Sequence, residues 1–213
     1  MRILLAFCAV KTLKLRHVDI VAAFLYADMD HDIYVEQPHG MEVPGDLVCK
    51  LKKAIYGLRT APRRWQTKLH SILLAAGFKP LQFDNNVFRR GDITISTYVN
   101  DFMILAPTDV AVDSVIKLLA RSLEVKDLGD ITCFLSVEIS QTDEGIRAGH
   151  SAKITAVCED LGLDDCRGAA ALIADDGLVD RTGSENLNAE EATRYRSAVS
   201  SLLHIAIMTR PDI

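Results

Sequence analysis

The sequence has 213 residues, of which 49% are hydrophobic and 25% charged, with a formal net charge of −5 and six prolines. This composition can bury one core, with or without a small appendage, and argues against a disordered chain. The five cysteines are odd in number and widely spaced, without a C-x-x-C pair. They therefore fit neither a disulfide framework nor a zinc site, and they favour a reduced, intracellular protein.

The N-terminal stretch from Met1 to Lys11 is predicted to form a helix. Its apolar run, Ile3 to Val10, follows a single Arg2 and approaches the lower limit of a signal-peptide core. No small-x-small cleavage motif follows that run, so we expect a buried helix rather than a secretory signal. No other run approaches the ~20 apolar residues of a membrane span.

The next segment combines a strand with a cluster of acidic residues. Apolar and polar residues alternate from Leu13 onward, which predicts a strand leading into Asp19. A compact apolar stretch, residues 21–26, separates this strand from a turn that carries three aspartates. A short strand, IYVEQP, then ends at Pro38.

A strongly basic segment follows, in which seven basic residues and no acidic one lie between residues 50 and 68. These residues are Lys50, Lys52, Lys53, Arg59, Arg63, Arg64 and Lys68. Phosphate contacts depend on local potential, so this segment is a candidate nucleic-acid-binding surface despite the negative net charge. The alternative is a solvated helix face. The last third of the chain is acidic by contrast, with ten acidic residues from Glu159 to Glu191.

The middle of the chain predicts a helix and then a hairpin. An amphipathic helix is expected from Arg63 to Ala76, with Gly77 just past its end. Its tryptophan, Trp65, is expected to be a core anchor rather than a base-stacking residue. Three short strands follow, and the dipeptide Asn100-Asp101 is expected to join the second to the third. Thr108 or Asp109 can cap the next helix.

Two aspartates are candidate metal ligands because each lies at the end of a predicted strand. If the strands that carry Asp19 and Asp101 are neighbours, the two carboxylates meet and could hold divalent cations for phosphoryl transfer. Aspartates at such positions are also common caps and turn formers, and spacing alone leaves both interpretations open.

The remaining segments complete an α+β pattern with an antiparallel sheet. FLSVEISQ predicts one strand, and a helix is expected from Lys153 to Leu161, stopped by Gly162. Residues 169–188 are small and polar and are interpreted as a linker. A closing helix is expected from Ala189 to Met208.

Five segments together resemble the reverse transcriptase of copia-type retrotransposons. They are HVDIVAAFLYADMDHDIYVEQPHG, VCKLKKAIYGLRTAPRRW, TYVNDFMILAP, LEVKDLGDITCFLSVEI and YRSAVSSLLHIAIMTRPDI. The resemblance runs from about Ile3 to the last residue. It implies a palm with an antiparallel sheet packed on helices over residues 1–140 and a partial thumb- or connection-like segment over residues 141–213. It also implies an RNA template and a DNA primer as partners, no membrane, and Mg²⁺ as cofactor.

The resemblance further implies roles for individual residues. Asp19 and Asp101 match catalytic, metal-binding aspartates, and Asn100 stands where the family has another aspartate. The residues expected near the incoming nucleotide are Phe24, as the bulky gate under the sugar, Tyr56, Gly57 and Arg59. The residues expected to contact the nucleic acid are Lys50, Lys52, Lys53, Arg63, Arg64 and Lys68. Ser136 stands where the family usually has glycine.

Asn100 is the most consequential departure, because an amide keeps a carbonyl ligand but loses a full negative charge. We expect weak or absent Mg²⁺ binding and impaired catalysis. Asn100 could also be retained simply as a turn residue that tolerates left-handed backbone. The resemblance begins partway through the family domain, so the fingers are expected to be missing and the chain is interpreted as a truncated, degenerate copy. The alternative is a non-catalytic remnant that binds nucleic acid or a protein partner.

Overall fold

The computed structural model describes residues 1–163, 165–168 and 186–212. Within these ranges it contains five α-helices, a short 3₁₀ helix at Ala23–Tyr26 and eleven strands, all paired antiparallel. The helices are α1 (Arg2–Lys11), α2 (Ala61–Ala75), α3 (Asp109–Leu119), α4 (Ser151–Leu161) and α5 (Ala189–Met208). The strands are β1 (Lys14–Ile20), β2 (Tyr34–Val35), β3 (Cys49–Lys50), β4 (Lys79–Leu81), β5 (Asp84–Arg90), β6 (Ile93–Tyr98), β7 (Asp101–Ala106), β8 (Val125–Asp130), β9 (Cys133–Phe134), β10 (Val137–Thr142) and β11 (Gly145–Gly149). The predicted α+β class with antiparallel sheets is confirmed.

The chain divides into two compact units, one of residues Leu4–Ile131 and one of Met1–Ile3 with Thr132–Ile213. The division lies between Ile131 and Thr132, whereas the predicted boundary at residue 140 falls inside β10. All the candidate site residues belong to the unit Leu4–Ile131.

A six-stranded sheet organises the first unit, in the order β4-β5-β6-β7-β1-β8. Strand β7 is buried at every position except Asp101, as its apolar run predicts for a strand covered on both faces. Strand β1 pairs with β7 on one side and with β8 on the other. This long-range pairing places the first strand of the sequence inside the sheet, next to the edge strand β8.

Two amphipathic helices supply the core of this unit. Helix α2 begins at Ala61, two residues earlier than predicted, with Pro62 in its first turn where no backbone donor is needed. Its buried residues are Ala61, Trp65, Leu69 and Leu73, spaced four apart. Helix α3 is capped by the Thr108 hydroxyl, which accepts a hydrogen bond from the Ala111 amide at 3.2 Å.

Helix α1 is buried on one face only. Leu5 and Cys8 lie in the core, whereas Ile3 and Val10 are 84% and 80% exposed. The prediction of a buried helix is therefore correct only for the face that carries Leu5 and Cys8. No helix in the described ranges is long and apolar enough to cross a membrane, and all five cysteines are free thiols.

The segment predicted as one strand, FLSVEISQ, is instead two strands joined by a tight turn. Leu135 and Ser136 have φ of +52° and +64°, and the turn pairs β9 with β10. Two consecutive left-handed residues are the geometry of a two-residue hairpin, which glycine adopts most easily. The glycine that the family usually has at position 136 was the available signal for this turn. The predicted linker at 169–188 lies mostly outside the described residues.

The second unit contains a pair of neighbouring histidines beside the end of α5, of which His150 is buried and His204 partly buried. His150 is 2% exposed, and its Nδ1 lies 2.7 Å from the Thr209 hydroxyl. The ring centroids of His150 and His204 are 5.1 Å apart. Burial lowers the pKa of His150 below its usual value, and the nearby His204 and Lys153 lower it further, whereas Glu138 acts in the opposite direction.

We expect this unit to lose stability in mild acid. Because the folded-state pKa of His150 is depressed, the unfolded chain binds the proton more readily, so stability is lost as pH falls below about 6.5 towards the folded-state pKa. Thermal melting between pH 8 and pH 5 measures this. His150→Asn is the control, because an amide can keep the bond to Thr209 without titrating. Equal acid sensitivity of the two proteins would contradict the assignment.

Candidate active site

Asp19 and Asp101 face each other across two neighbouring strands. Asp19 is the second-last residue of β1, Asp101 is the first residue of β7, and the two are direct antiparallel partners. Directly opposite residues project to the same face of a sheet with their Cβ atoms about 5 Å apart. The structure therefore brings these two carboxylates together at one end of the sheet.

The hairpin beside them differs from the prediction in its turn residues. Tyr98 pairs with Asp101, so the two-residue turn is Val99-Asn100, and Asp101 belongs to the strand. The left-handed residue is Val99, with φ of +56°, and Asn100 has a negative φ. Asn100 is therefore a turn residue, as the alternative interpretation had it, but left-handed tolerance is not the reason for its presence. A β-branched residue in this region is strained, as backbone at functional sites often is.

Trp65 holds the strained residue in place. Its indole Nε1 donates a hydrogen bond to the Val99 carbonyl at 2.6 Å, while the ring is 98% buried in the core. The expectation that Trp65 is a core anchor is confirmed. The side chain also ties α2 to the hairpin, a second role that its spacing along the helix did not indicate.

Each carboxylate is bonded to a side chain of the protein itself. The Asn100 amide donates from Nδ2 to Oδ1 of Asp19 at 2.5 Å. The imidazole Nε2 of His17 lies 3.1 Å from Oδ1 of Asp101. His17 and Asp19 are two residues apart on β1 and so share a face of the sheet. Sequence reasoning missed His17, although the i, i+2 spacing from Asp19 was the available signal.

This donor set does not fit a pair of Mg²⁺ ions. Mg²⁺ needs oxygen ligands in near-octahedral geometry, and here one oxygen of Asp19 already accepts an N–H bond from Asn100. In the described part of the chain, no group of three His, Cys, Asp or Glu side chains is arranged to hold a metal ion. Two carboxylates with an amide donor between them carry too little charge and too few free oxygens.

The residues expected around a nucleotide lie close to one another but differ in exposure. Phe24 is 6% exposed and belongs to the core, with its ring centroid 4.4 Å from that of Tyr56. Tyr56 and Arg59 are exposed. Gly57 has φ of +95°, which favours glycine and explains why the loop needs it.

Three of the seven basic residues of the segment 50–68 are paired with carboxylates. The partners are Asp28, Asp30 and Asp32, which we call the aspartate trio. Lys53 Nζ lies 2.6 Å from Asp28, Lys50 Nζ lies 2.7 Å from Asp32, and Arg64 pairs with Asp30. Sequence reasoning placed the trio in a turn and missed these partners.

The lysines hold two of these carboxylates in the charged form. The hydrogen bond and charge of Lys53 lower the pKa of Asp28, to which the charge of Lys68 also contributes. The hydrogen bond from Lys50 lowers the pKa of Asp32. Both aspartates are therefore ionised throughout the physiological range.

Comparison with known proteins connects this geometry to a family. The family model described as reverse transcriptase (RNA-dependent DNA polymerase) matches residues 1–174. The chain belongs to the reverse transcriptase family. The match includes both aspartates, the hairpin between them and the basic segment.

The relatives are retrotransposon proteins. Over its whole length the chain is 29% identical to the retrovirus-related Pol polyprotein from transposon TNT 1-94 of Nicotiana tabacum, of which it covers 17%. It is 28% identical to that from transposon RE2 of Arabidopsis thaliana, covering 15%. Over 92% of the chain it is 30% identical to a putative transposon Ty5-1 protein of Saccharomyces cerevisiae, covering 65%. The similarity to copia-type reverse transcriptases therefore extends over the whole chain, which spans about a sixth of the two polyproteins.

Proposed function

We propose that this chain is a reverse-transcriptase domain of a copia-type retrotransposon polyprotein whose polymerase chemistry is impaired. The observation that carries the proposal is the Asn100 amide bonded to Asp19, at a place where the family has a carboxylate. In this proposal the aspartates at 19 and 101 descend from the metal ligands of an RNA-directed DNA polymerase.

The loss of one charge is large enough to stop the reaction. At about 4 Å and an effective dielectric of about 20, one unit charge is worth about 4 kcal/mol, and a divalent ion doubles this before desolvation offsets it. A net loss of about 4 kcal/mol corresponds to about a thousandfold in rate. Phosphoryl transfer depends on positioning and on charge neutralisation, so other residues offer little compensation.

The two compact units correspond in this proposal to parts of a polymerase. The unit Leu4–Ile131, with its sheet and α2 and α3, is assigned to the palm. The unit from Thr132 onward is assigned to a thumb- or connection-like segment. An RNA template paired with a DNA primer is the proposed partner, held in part by cations of the basic segment, with Phe24, Tyr56, Gly57 and Arg59 beside the nucleotide.

Primer extension on an RNA template tests the proposal. The chain as given is expected to extend a DNA primer no faster than background with Mg²⁺ or Mn²⁺. An intact copia-type fingers segment fused ahead of Met1 supplies the triphosphate contacts that position the substrate. In this fusion the Asn100 form is expected to stay near background, and the Asn100→Asp form is expected to extend the primer. Extension by the unmodified chain with Mg²⁺ would overturn the charge argument.

The second candidate function is a nucleic-acid-binding remnant without catalysis, or an interaction module built on the same surface. The observation that favours it is that four cations of the basic segment have no acidic partner among the described residues. These are Lys52, Arg59, Arg63 and Lys68. Binding without extension by the fused Asn100→Asp form would favour this candidate over the first.

A further inference from the structure

The aspartate trio and the basic segment are joined by three ion pairs on the first unit. The trio lies between the 3₁₀ helix and β2, and β2 pairs with β3, so Tyr34 lies opposite Lys50. A single bridge between Asp28 and Lys53 extends the contact. The backbone pairing therefore holds Asp28 and Asp32 near Lys53 and Lys50, whereas Asp30 meets Arg64 of α2 through side chains alone.

The three ion pairs are exposed, and two of them lie beside backbone pairings. The side chains of Asp28, Asp30 and Asp32 are 71%, 43% and 58% exposed. Exposed ion pairs contribute little to the stability of the folded state, so stabilisation of the fold does not explain them well. Their larger effect is on local potential, because three carboxylates cancel three of the seven positive charges.

We propose that the aspartate trio acts as a set of internal counter-ions that occupy part of the basic segment and limit how many phosphates it binds. The proposal rests on the nucleic-acid binding in the proposed function. A carboxylate offers Lys and Arg the same charge-assisted hydrogen bonds as a phosphate. The trio therefore competes with nucleic acid for Lys50, Lys53 and Arg64. Four cations of the basic segment are left to bind the phosphates of a nucleic-acid strand.

The number of free cations sets a measurable quantity. For a single strand, the logarithm of the binding constant falls with the logarithm of salt concentration at a slope of about −0.7 for each phosphate neutralised. Four free cations give a slope of about −3, and seven give about −5. Lines that converge near 1 M salt then differ by about 100-fold in affinity at 0.1 M.

The experiment compares the chain with two variants of equal net charge. Asp28→Asn/Asp30→Asn/Asp32→Asn frees three cations and changes the formal net charge from −5 to −2. Asp92→Asn/Asp113→Asn/Asp143→Asn makes the same change at three exposed aspartates with no ion pair among the described residues. Binding of a fluorescent oligothymidylate, about 20 nucleotides long, is measured by fluorescence anisotropy from about 50 to 300 mM NaCl. This range resolves the slope of the logarithm of the binding constant against the logarithm of salt concentration.

We expect the trio variant to bind about 100-fold more tightly than the chain at 0.1 M salt, with the slope changing from about −3 to about −5. The control variant is expected to keep the slope and gain less than about threefold, from long-range charge alone. Asp28→Asn by itself should move the slope by about −0.7. This single change supports the inference even if the triple variant folds poorly.

Two failures are distinguishable. If all three proteins bind with the same slope, or the trio and control variants gain equally, the basic segment binds nucleic acid but the trio does not restrain it, and the inference is wrong. If none of them binds at 50 mM salt, the basic segment does not bind nucleic-acid phosphates. The proposed nucleic-acid binding is then wrong, and so is the inference that rests on it.

Discussion

Replacing Asn100 by Asp is expected to raise the Mg²⁺ affinity of the end of the sheet that carries Asp19 and Asp101 by about a thousandfold. The variant restores one full charge between Asp19 and Asp101 and removes the amide donor that now occupies Oδ1 of Asp19. Isothermal calorimetry with Mg²⁺ measures the affinity, and thermal melting gives a second measurement. Without Mg²⁺ three neighbouring carboxylates repel one another, so the Asp variant is expected to melt lower in EDTA and to recover on adding Mg²⁺.

The matched control is Asn100→Ala, which removes the amide without adding charge. This variant is expected to bind Mg²⁺ as weakly as the unmodified chain. It should also be less stable by about 1–3 kcal/mol, because the Asp19 carboxylate loses its donor. Mg²⁺ affinities within fivefold for the Asn and Asp forms would show that the Asn100 carbonyl is an adequate ligand, and the proposed impairment would lose its basis.

Trp65→Ala is expected to destabilise the first unit by about 3–5 kcal/mol. The indole is 2% exposed, and its loss opens a large cavity between α2 and the sheet. It also leaves the carbonyl of a strained residue, Val99, without its donor. Urea denaturation followed by circular dichroism measures the effect, since the substitution removes the only tryptophan of the chain.

Trp65→Phe separates packing from the hydrogen bond. It keeps a ring in the core, so most of the burial survives, but the Val99 carbonyl stays unpaired. We expect a cost of about 1–3 kcal/mol, below that of alanine. A loss below about 1 kcal/mol for alanine would contradict the anchor role, because it would mean that the core closes around the missing ring without penalty.

Local patterns in the sequence were sufficient for most of the elements. The four-residue spacing of Trp65 and Leu69 predicted α2, and the apolar run after Asp101 predicted a buried strand. Such patterns depend on near neighbours in the chain, which is why they can be recognised without the fold. Strands β4, β8 and β11 were missed because each carries only one or two large apolar residues and none has an apolar-polar alternation, and they are held by partners elsewhere in the sheets.

The residues with positive φ were predicted less well. The sequence placed Asn100 in the turn, but the residue with positive φ is Val99, whose bulk argues against that conformation. The structure supports it with a hydrogen bond from Trp65, 34 residues away in sequence. A strained conformation of this kind persists because tertiary contacts hold it in place, so local sequence propensity cannot reveal it.

The sequence by itself determined the α+β class, the burial of Trp65, the resemblance to copia-type reverse transcriptases and the presence of an amide, not a carboxylate, at position 100. Only the tertiary structure decided what the charged and polar groups bind. Asn100 reaches Asp19 across 81 positions, and Asp28 reaches Lys53 across 25. Strand pairing fixes these partners, because it brings distant residues within a few ångströms, whereas the identity of a residue states only which bonds it is able to make.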